Sequence, residues 1–431
     1  MNNFPDEKGP EVLILHDEQH YVLDRLNDFK GVIFVTGKAG TGKTTLFKLF
    51  EKISTRRSIV LAPTGIAAVN VGGQTIHSFF RLPPGFVKRE DYRALSKSLV
   101  KKIEMIVIDE ISMVRADILD HIDQILRLSI GIDQAFGGIP MLWIGDLYQL
   151  PPVVSTSFEK EYFETQYTSP YFFSAHVMSE IKDFEVIELG QVFRQQDQRF
   201  IRLLNRIRTN SIDEDDLHEL NSRKLEIIHT EETPIITLTS TNVIAQNINN
   251  IALQTLADSP RIYEARVNGI VSQSQYPNDQ QLILKKGAQV MAIRNSPDKK
   301  YVNGSIGQVL ELADDEITVL FNHDGDPVRI NREDWDIIRY RVAGEELHKE
   351  VMGTFTQFPL KLAWAVTVHK SQGKSFDRII IDLGRGAFEN GQAYVALSRA
   401  RSFEGVFLKQ NLTWRDIRTD NRVTEFLEKY R

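Results

Sequence analysis

The chain has 431 residues, of which 42% are hydrophobic, and this length exceeds what a single hydrophobic core usually organises, so two or three domains are expected. It contains no cysteine, which excludes disulfides, cysteine-bound zinc and a thiol nucleophile. The formal net charge of −6 argues against a protein that binds nucleic acid through overall charge alone, for which a strongly basic domain is typical.

The N-terminal segment MNNFPDEKGP lacks the basic and then apolar layout of a signal peptide. No run of about 18 or more uncharged apolar residues follows anywhere in the chain, so the sequence predicts no transmembrane helix and no membrane partner. A soluble protein is therefore expected, with the cytoplasm as its default location.

The first half of the chain alternates short apolar runs with segments of helical character. The runs cover residues 32–36, 58–62, 105–108 and 141–144. Continuous apolar strands of this kind are typical of a parallel sheet that helices cover on both faces. The pattern predicts an α/β lobe over residues 1–185, with a small insert at about 64–80.

The second half of the chain repeats this strand pattern, but a different pattern separates its first strand from the others. Apolar runs at 235–239, 378–383 and 406–408 predict a second α/β lobe, made of residues 186–251 and 354–431. Between them, residues 252–353 read as short alternating strands separated by turn dipeptides such as Asn303-Gly304. This stretch predicts a small β-rich domain inserted into the second lobe.

A phosphate-binding loop follows the strand predicted at 32–36. The segment GKAGTGKT matches the G-x-x-x-x-G-K-[ST] pattern in full, directly after a strand and before a helix. Its glycines allow backbone N–H groups to surround phosphate oxygens at a helix N-terminus. Lys43 is expected to reach the β- and γ-phosphates, and Thr44 to bind Mg²⁺. The predicted ATP contacts in this loop are Gly37, Ala39, Gly40, Thr41, Gly42, Lys43, Thr44 and Thr45.

Two carboxylates end the apolar run at 105–108. Parallel sheets bind ligands at the C-terminal ends of their strands, so Asp109 and Glu110 are expected beside the loop. Asp109 is predicted to hold Mg²⁺ and Glu110 to activate the attacking water. An ordinary strand that ends in acidic residues is the alternative. A phosphate loop alone does not separate kinases, switches and motors, because all three use it.

Further motifs distinguish among these uses. They are LAPTGIAA at 61–68, GGQTIHSF at 72–79, GDLYQLPP at 145–152, FR at 193–194, TVHKSQG at 367–373 and YVALSRA at 394–400. In this order the chain resembles the petite-integration-frequency helicase family of superfamily one, B type, which includes RecD-like enzymes. The segment from ISMVRAD at 111–117 onward favours that family over its RecD-like relatives. The resemblance implies two RecA-like lobes with parallel sheets and an SH3-like β-rich insertion.

The resemblance also implies catalytic roles outside the loop. Gln149 corresponds to the glutamine that senses the γ-phosphate, although a polar loop residue is the alternative. Arg194 and Arg399 correspond to two arginines that the second lobe directs at the γ-phosphate when the cleft closes. Gln19 resembles the glutamine that reads adenine. With Lys43, these residues and the two carboxylates form the predicted catalytic set.

Residues near the strand ends of both lobes are the predicted contacts to DNA. Hydroxyl, imidazole and ammonium groups bind phosphates, and aromatic rings stack on bases, so such a track requires little net charge. For Phe79, packing in the core is an alternative of similar weight. The predicted track consists of Thr64, Gly65, His77, Ser78, Phe79, Thr367, His369, Lys370 and Ser371.

By resemblance, the expected function is that of an ATP-dependent helicase that travels 5′-to-3′ on single-stranded DNA and opens forked or tailed duplexes, G-quadruplexes and RNA–DNA hybrids. Its expected cofactor is Mg²⁺, and the expected unit is a monomer. Nothing in the residues themselves sets the direction of travel. A nucleotide-gated switch that binds no nucleic acid and a translocase that runs 3′-to-5′ are the alternatives.

Overall fold

The structure, a computed structural model, describes residues 16–430 except 84, 155, 196, 226–234, 297, 299, 322–324 and 344–345. The first fifteen residues of the predicted first lobe therefore lie outside the described part of the chain. None of the helices in the described ranges combines the length and the apolar character needed to cross a membrane. The helices are α1 (Asp17–Asp28), α2 (Lys43–Ile53), α3 (Gly65–Val71), α4 (Ile76–Phe80), α5 (Lys97–Val100), α6 (Ala116–Ile130), α7 (Ser157–Gln166), α8 (Gln198–Arg208), α9 (Glu214–Asn221), α10 (Asn242–Thr255), α11 (Gln392–Leu397) and α12 (Asn421–Glu428).

The strands form five sheets. They are β1 (Val32–Gly37), β2 (Ser58–Ala62), β3 (Gln74–Thr75), β4 (Met105–Asp109), β5 (Met141–Ile144), β6 (Phe184–Leu189), β7 (Ile236–Thr239), β8 (Arg261–Glu264), β9 (Arg266–Gly269), β10 (Gln281–Leu284), β11 (Gln289–Ala292), β12 (Ile306–Leu312), β13 (Glu316–Leu320), β14 (Val328–Asn331), β15 (Glu333–Ala343), β16 (Glu346–Gln357), β17 (Leu360–Leu362), β18 (Ala365–Thr367), β19 (Ile379–Asp382) and β20 (Val406–Leu408).

The first lobe is built on a six-stranded sheet in the order β3-β2-β4-β5-β1-β6, and every pairing in it is parallel. Alternate residues of β1 face opposite sides. Ile33 and Val35 pack with α1 and α2, whereas Phe34 packs in the core that contains α6. Because both faces are covered, all six residues of β1 are buried.

The second lobe contains a four-stranded parallel sheet in the order β18-β7-β19-β20. The apolar runs predicted for it correspond to β7, β19 and β20, and the first-lobe runs correspond to β1, β2, β4 and β5. The α/β prediction with two parallel sheets is confirmed. The short strand β18 was not predicted, because three residues carry too little periodicity to be recognised.

The β-rich region has its own core and is larger than expected. Its five-stranded antiparallel sheet runs β14-β13-β12-β11-β17, so β17 extends the region past the predicted limit at residue 353. Strands β15 and β16 pair along their full length as a long ribbon that crosses the same limit. The ribbon is continuous across residue 353 because its strands pair through backbone hydrogen bonds, which an apolar pattern does not report.

The predicted boundaries of the first lobe also need correction. Strand β6 crosses the predicted limit at 185 and pairs in parallel with β1, so the first sheet continues to Leu189. The stretch at 64–80 is not a separate insert, because β3 within it pairs with β2 at the edge of that sheet. Helix α12 returns to the first lobe, where the ring of Phe426 stacks on that of Phe173 with centroids 4.6 Å apart.

The β15–β16 ribbon docks on the first lobe. The hydroxyl of Tyr340 accepts a hydrogen bond of 3.0 Å from the backbone N–H of Val60. The ammonium of Lys349 donates to Glu51 at 3.2 Å and to the backbone oxygen of Gly72 at 2.8 Å. These contacts join residues far apart in sequence and hold the β-rich region against the first sheet.

At Gly391 the two lobes approach each other closely. Its φ is +72°, and a Cβ atom there would lie 2.5 Å from the backbone oxygens of both Tyr148 and Gln149. These oxygens belong to the first lobe and have no freedom to move independently. Only glycine therefore allows this contact.

We expect Gly391→Ala to separate the lobes, because the added methyl group overlaps two backbone oxygens. Small-angle X-ray scattering should show a larger radius of gyration. The matched control is Gly131→Ala, whose φ is +80° with no atom within 4 Å of the added Cβ. It carries the same left-handed strain, about 1 to 2 kcal/mol, and should leave the scattering unchanged. Equal scattering from both variants would contradict this role for Gly391.

Candidate active site

The phosphate loop has the geometry that anion binding requires. Gly40 and Gly42 adopt left-handed φ values of +84° and +79°, and Gly42 is the N-cap of α2. The loop therefore ends at the N-terminus of α2, which is the positive end of the helix dipole. Its glycines have no side chain that could block access to the backbone N–H groups. A Cβ on Gly40 would lie 2.5 Å from the Cβ of Arg194, so this glycine also admits the second-lobe arginine.

Lys43 lies inside the loop. Its Nζ donates to the backbone oxygens of Gly37 at 2.7 Å and Lys38 at 3.1 Å. Burial lowers the pKa of Lys43, and the nearby Asp146 and Glu110 oppose that effect. Carbonyl oxygens only partly compensate a buried ammonium, so a phosphate group that reached this position would be a stronger partner.

Asp109 and Glu110 lie at the C-terminal end of β4, as predicted. Burial and then the neighbouring Glu110 raise the pKa of Asp109 to about 7. Burial also raises the pKa of Glu110, against the lowering effect of Lys43 and Arg399. Glu110 has a φ of +54°, which is uncommon for a residue other than glycine and turns its side chain out of the strand direction.

The donor set near Asp109 fits a magnesium ion held jointly with a nucleotide. Thr44 stands in the first turn of α2 and offers a hydroxyl, while Asp109 offers a buried carboxylate. Mg²⁺ prefers such hard oxygen ligands and commonly keeps only one or two protein groups besides phosphates and water. Consistent with this, no group of three or more histidine, cysteine or acidic side chains in the described residues could hold a metal by itself.

Gln149 is held by a residue that the sequence analysis did not single out. Its Nε2 donates to the Oδ2 of Asp146 at 3.2 Å, and its backbone N–H donates to the backbone oxygen of Asp146 at 3.0 Å. In the sequence, Asp146 is marked only by its place in the GDLYQLPP motif, two residues after the buried strand β5.

Arg194 and Arg399 meet at Ser398 on the second lobe. Arg194 donates to the backbone oxygen of Ser398 at 3.1 Å, and Arg399 donates to its hydroxyl at 2.8 Å. Within the described part of the chain, neither guanidinium forms an ion pair with a carboxylate. Burial lowers the pKa of Arg194 to about 10 and that of Arg399 to about 9. A buried cation without an anion is costly, as for Arg399, and the half-buried Arg194 lies beside Gly40 of the phosphate loop.

The predicted adenine-reading residue also borders the loop. Gln19 is buried, and its Oε1 accepts a hydrogen bond of 3.2 Å from the backbone N–H of His16. Its Nε2 lies 3.7 Å from the position of a Cβ on Gly42. The ring of Phe193 lies 5.5 Å from that of His16 and is 47% exposed, so an aromatic face that the sequence analysis did not assign to nucleotide binding adjoins Gln19.

The other loop residues have different surroundings. The hydroxyl of Thr41 donates to the backbone oxygen of Lys38 at 3.0 Å, which stabilises the turn itself. The backbone N–H of Ala39 donates to the hydroxyl of Tyr394, 3.0 Å away on the second lobe. Thr45 is exposed on α2. The loop is therefore in contact with both lobes.

On the first lobe, several predicted DNA contacts have structural partners. The hydroxyl of Thr64 accepts from the backbone N–H of Ala67 at 3.2 Å and so caps α3, whose first residue is Gly65. The hydroxyl of Ser78 accepts from the Nε2 of Gln74 at 2.8 Å. Burial, followed by the nearby Arg115, lowers the pKa of His77 and favours its neutral form.

Phe79 is not exposed as a stacking platform in this conformation. Its side chain is 6% exposed, and its ring packs edge-on against Phe80 at 4.9 Å and Tyr340 at 6.1 Å. The expectation of a ring available to a base is wrong for this arrangement, because the β15–β16 ribbon covers it. A cavity of about 860 Å³ lies beside Phe79, between the ribbon and the first lobe.

On the second lobe, the predicted DNA residues divide into buried and accessible groups. Thr367 is buried and its hydroxyl accepts from the N–H of Lys370, while Ser371 is buried and donates to a backbone oxygen. Lys370 is exposed. The Nε2 of His369 lies 3.1 Å from a carboxylate oxygen of Glu389. Lys370 and His369 are therefore the members of this group that can reach a phosphate.

Comparison with known proteins decides the family. A family model described as PIF1-like helicase matches residues 14–218. An ATP-dependent DNA helicase Pif1 of Bdellovibrio bacteriovorus is 31% identical over 96% of this chain and 92% of its own length. This chain belongs to the PIF1-like helicase family. It is an ATP-dependent DNA helicase, and the family predicted from the motifs is confirmed.

Two solved structures of a Bacteroides Pif1, each with a different ligand, are similar to this chain. The complex with ADP-AlF4 is 37% identical with a TM-score of 0.88, and it covers 97% of both chains. The complex with single-stranded DNA is 38% identical over the same shares, but its TM-score is 0.71. The two complexes differ by one percentage point in identity and have the same coverage, so the lower TM-score reflects a difference in conformation. The unliganded structure of the same relative has a TM-score of 0.87, so the present arrangement is closer to the structures without DNA.

We expect Lys43→Ala and Glu110→Gln to separate nucleotide binding from hydrolysis in this helicase. Lys43 is predicted to contact the ground-state phosphates, so its removal should weaken ATP binding. Glu110 is predicted to act on the attacking water, so Glu110→Gln should still bind ATP but lose turnover. Fluorescent-nucleotide titration and phosphate release measure the two effects. Turnover at the parent rate by Glu110→Gln would refute its assignment as the base.

We expect Arg194→Ala and Arg399→Ala each to lower ATP turnover by about 10³ to 10⁵, the usual effect of an arginine finger, with the fold retained. The control is Arg401→Ala, which removes an exposed arginine of the same segment that pairs with Asp377 at 2.7 Å. It should keep nearly full turnover at saturating DNA. Parent-level turnover by either test variant would make that residue a structural arginine.

Proposed function

We propose that this chain hydrolyses Mg²⁺-ATP in the cleft between its lobes and uses the energy to move 5′-to-3′ along single-stranded DNA. The observation that supports this proposal most directly is a pair of second-lobe guanidiniums without a carboxylate partner in the described residues: half-buried Arg194, beside Gly40 of the phosphate loop, and buried Arg399, in the electrostatic field of Glu110. A site completed by two lobes makes hydrolysis depend on their relative position. That dependence is what a motor requires.

In this mechanism each side chain has one role. Lys43 and the loop N–H groups bind the phosphates, and Thr44 and Asp109 would hold the metal ion, which neutralises phosphate charge when bound. Glu110 orients and deprotonates the water, and Gln149 responds to the γ-phosphate through Asp146. The two arginines stabilise the charge that develops on the transferred group.

The DNA track crosses both lobes in this proposal. On the second lobe, Lys370 and His369 bind the backbone, and a phosphate competes with Glu389 for the imidazole. On the first lobe, Ser78 borders the cavity beside Phe79, and His77 precedes it in the same helix. Phe79 itself becomes available only when the β15–β16 ribbon moves away. The lower similarity to the DNA complex of the Bacteroides relative is consistent with such a rearrangement.

Forked and tailed duplexes are the proposed substrates, and G-quadruplexes and RNA–DNA hybrids are proposed as further ones. Lobe closure and reopening displace one grip relative to the other, which advances the protein along one strand. Separating a base-pair step costs about 1.4 kcal/mol on average. An advance of about one nucleotide per ATP is therefore sufficient to open a duplex. Phosphate contacts and stacking read no bases, so activity should depend little on sequence.

We expect unwinding of a duplex with a 5′ single-stranded tail and no unwinding of its 3′-tailed counterpart. Strand release is followed by fluorescence with Mg²⁺ and ATP, and a blunt duplex serves as the substrate control. The Glu110→Gln variant controls for strand release without hydrolysis. Opening of the 3′-tailed substrate alone would reverse the proposed direction. ATP turnover that single-stranded DNA does not affect would instead favour the nucleotide-gated switch.

A further inference from the structure

One second-lobe hydroxyl joins two first-lobe elements of the nucleotide site. Tyr394, in α11, is buried, and its hydroxyl accepts a hydrogen bond of 3.0 Å from the backbone N–H of Ala39 in the phosphate loop. The same hydroxyl donates to the Oδ2 of Asp146 at 3.5 Å. A hydroxyl has one proton to donate, so both contacts depend on a single rotor orientation and on the relative position of the lobes.

Asp146 is the centre of a buried polar cluster. Its Oδ2 accepts from Gln149 at 3.2 Å, and its Oδ1 accepts from Arg208 at 3.3 Å. The side chains of Arg208 and Asp146 are 3% and 0% exposed. The guanidinium of Arg208 also lies 4.3 Å from the ring centroid of Tyr148 and pairs with Glu188 at 3.2 Å. Arg208, which ends α8, therefore anchors the carboxylate that Tyr394 and Gln149 share.

The predicted DNA loop connects to Tyr394 through α11. Arg399, which follows this helix, donates to the backbone oxygens of Ser371 at 3.5 Å and Lys374 at 3.3 Å. It also donates to the oxygen of Val395 at 2.9 Å, within the helix itself. A displacement of the loop that carries His369 and Lys370 is thus transmitted to α11 through hydrogen bonds and a rigid helical turn.

We propose that Tyr394 is a positioning residue that couples DNA binding to the nucleotide site, by holding the phosphate loop and Asp146 in a position set by the second lobe. The proposal rests on the proposed helicase function and assigns a role to a residue that belongs neither to the predicted DNA track nor to the predicted catalytic set. A hydrogen bond weakens steeply when its geometry changes, so a small lobe rotation releases Ala39 and Asp146 together. The lobe position that nucleotide binding favours is then linked to the lobe position that DNA binding favours through the Tyr394 hydroxyl.

Tyr394→Phe tests this coupling because it removes the hydroxyl and keeps the buried ring. Single-strand affinity is measured by anisotropy with the full chain, first without nucleotide and then with ADP, Mg²⁺ and aluminium fluoride. For the wild-type protein we expect the nucleotide to change the DNA dissociation constant by roughly 5- to 150-fold, the usual range of allosteric coupling. For Tyr394→Phe we expect a change below about 2-fold, with nucleotide-free DNA affinity retained. By linkage, DNA should change nucleotide affinity by the same factor in each protein.

The control is Tyr263→Phe in the β-rich region, where a buried hydroxyl donates to the backbone oxygen of Ala313 at 2.8 Å. It loses a comparable bond and should keep the wild-type factor. Circular dichroism follows folding in parallel. Arg208→Lys tests the same cluster at its other end. The lysine keeps the charge but cannot contact Asp146 and Glu188 together, so this variant should also reduce the factor.

The outcomes separate the inference from the helicase function. A wild-type factor retained by folded Tyr394→Phe would overturn the coupling role, and so would a wild-type factor in Arg208→Lys if Tyr394→Phe fails to fold. A wild-type protein that binds DNA with an affinity that nucleotide does not change would also overturn it, while the unwinding assay still stands. Failure of the wild-type protein to bind single-stranded DNA at all would instead contradict the proposed function.

Discussion

Two positive charges without a carboxylate partner in the described residues lie at the junction of the lobes, and they constrain what this junction can bind. Arg194 and Arg399 donate to oxygens of the same residue, Ser398, and each lies in the electrostatic field of the other, which contributes to the lowered pKa of Arg399. Arg208 provides the contrast, since Asp146 and Glu188 outweigh burial and its pKa is raised. A guanidinium paired in this way is structural, whereas Arg194 and Arg399 have no carboxylate partner in the described residues, which supports the proposal that a nucleotide phosphate pairs with them.

The contacts between the two lobes must be able both to close the junction and to let it open. Contacts that close it are spread over the molecule: the backbone approach at Gly391, the aromatic stack of α12 on the first lobe, and the ribbon contact through Tyr340. Each is local, and none covers the cleft entirely. Interfaces built from a few discrete contacts favour distinct arrangements over gradual deformation. This explains how one fold accommodates the arrangements represented by the nucleotide and DNA complexes of the Bacteroides relative.

An acidic chain can act on nucleic acid when its positive charges are placed locally. The net charge of −6 belongs to the whole chain, whereas Lys370 is exposed in the segment that joins the strands β18 and β19. At ordinary salt, screening weakens the effect of surface charges more than about 10 Å away. Nearby groups therefore dominate the electrostatic potential at a bound phosphate. The ribbon covers Phe79 in the present arrangement, so access of a base to that ring depends on domain position and not on charge.

The sequence alone determined the phosphate loop, the carboxylates Asp109 and Glu110 at the C-terminal end of β4, most buried strands and the helicase family, because these features are local patterns with a fixed spacing. It did not determine that β6 joins the first sheet, that Phe79 packs under Tyr340, or that Tyr394 reaches Ala39. Each of these pairs residues that are more than about 100 positions apart or lie in different lobes. Periodicity identifies which face of an element is buried, but only tertiary packing selects its partner.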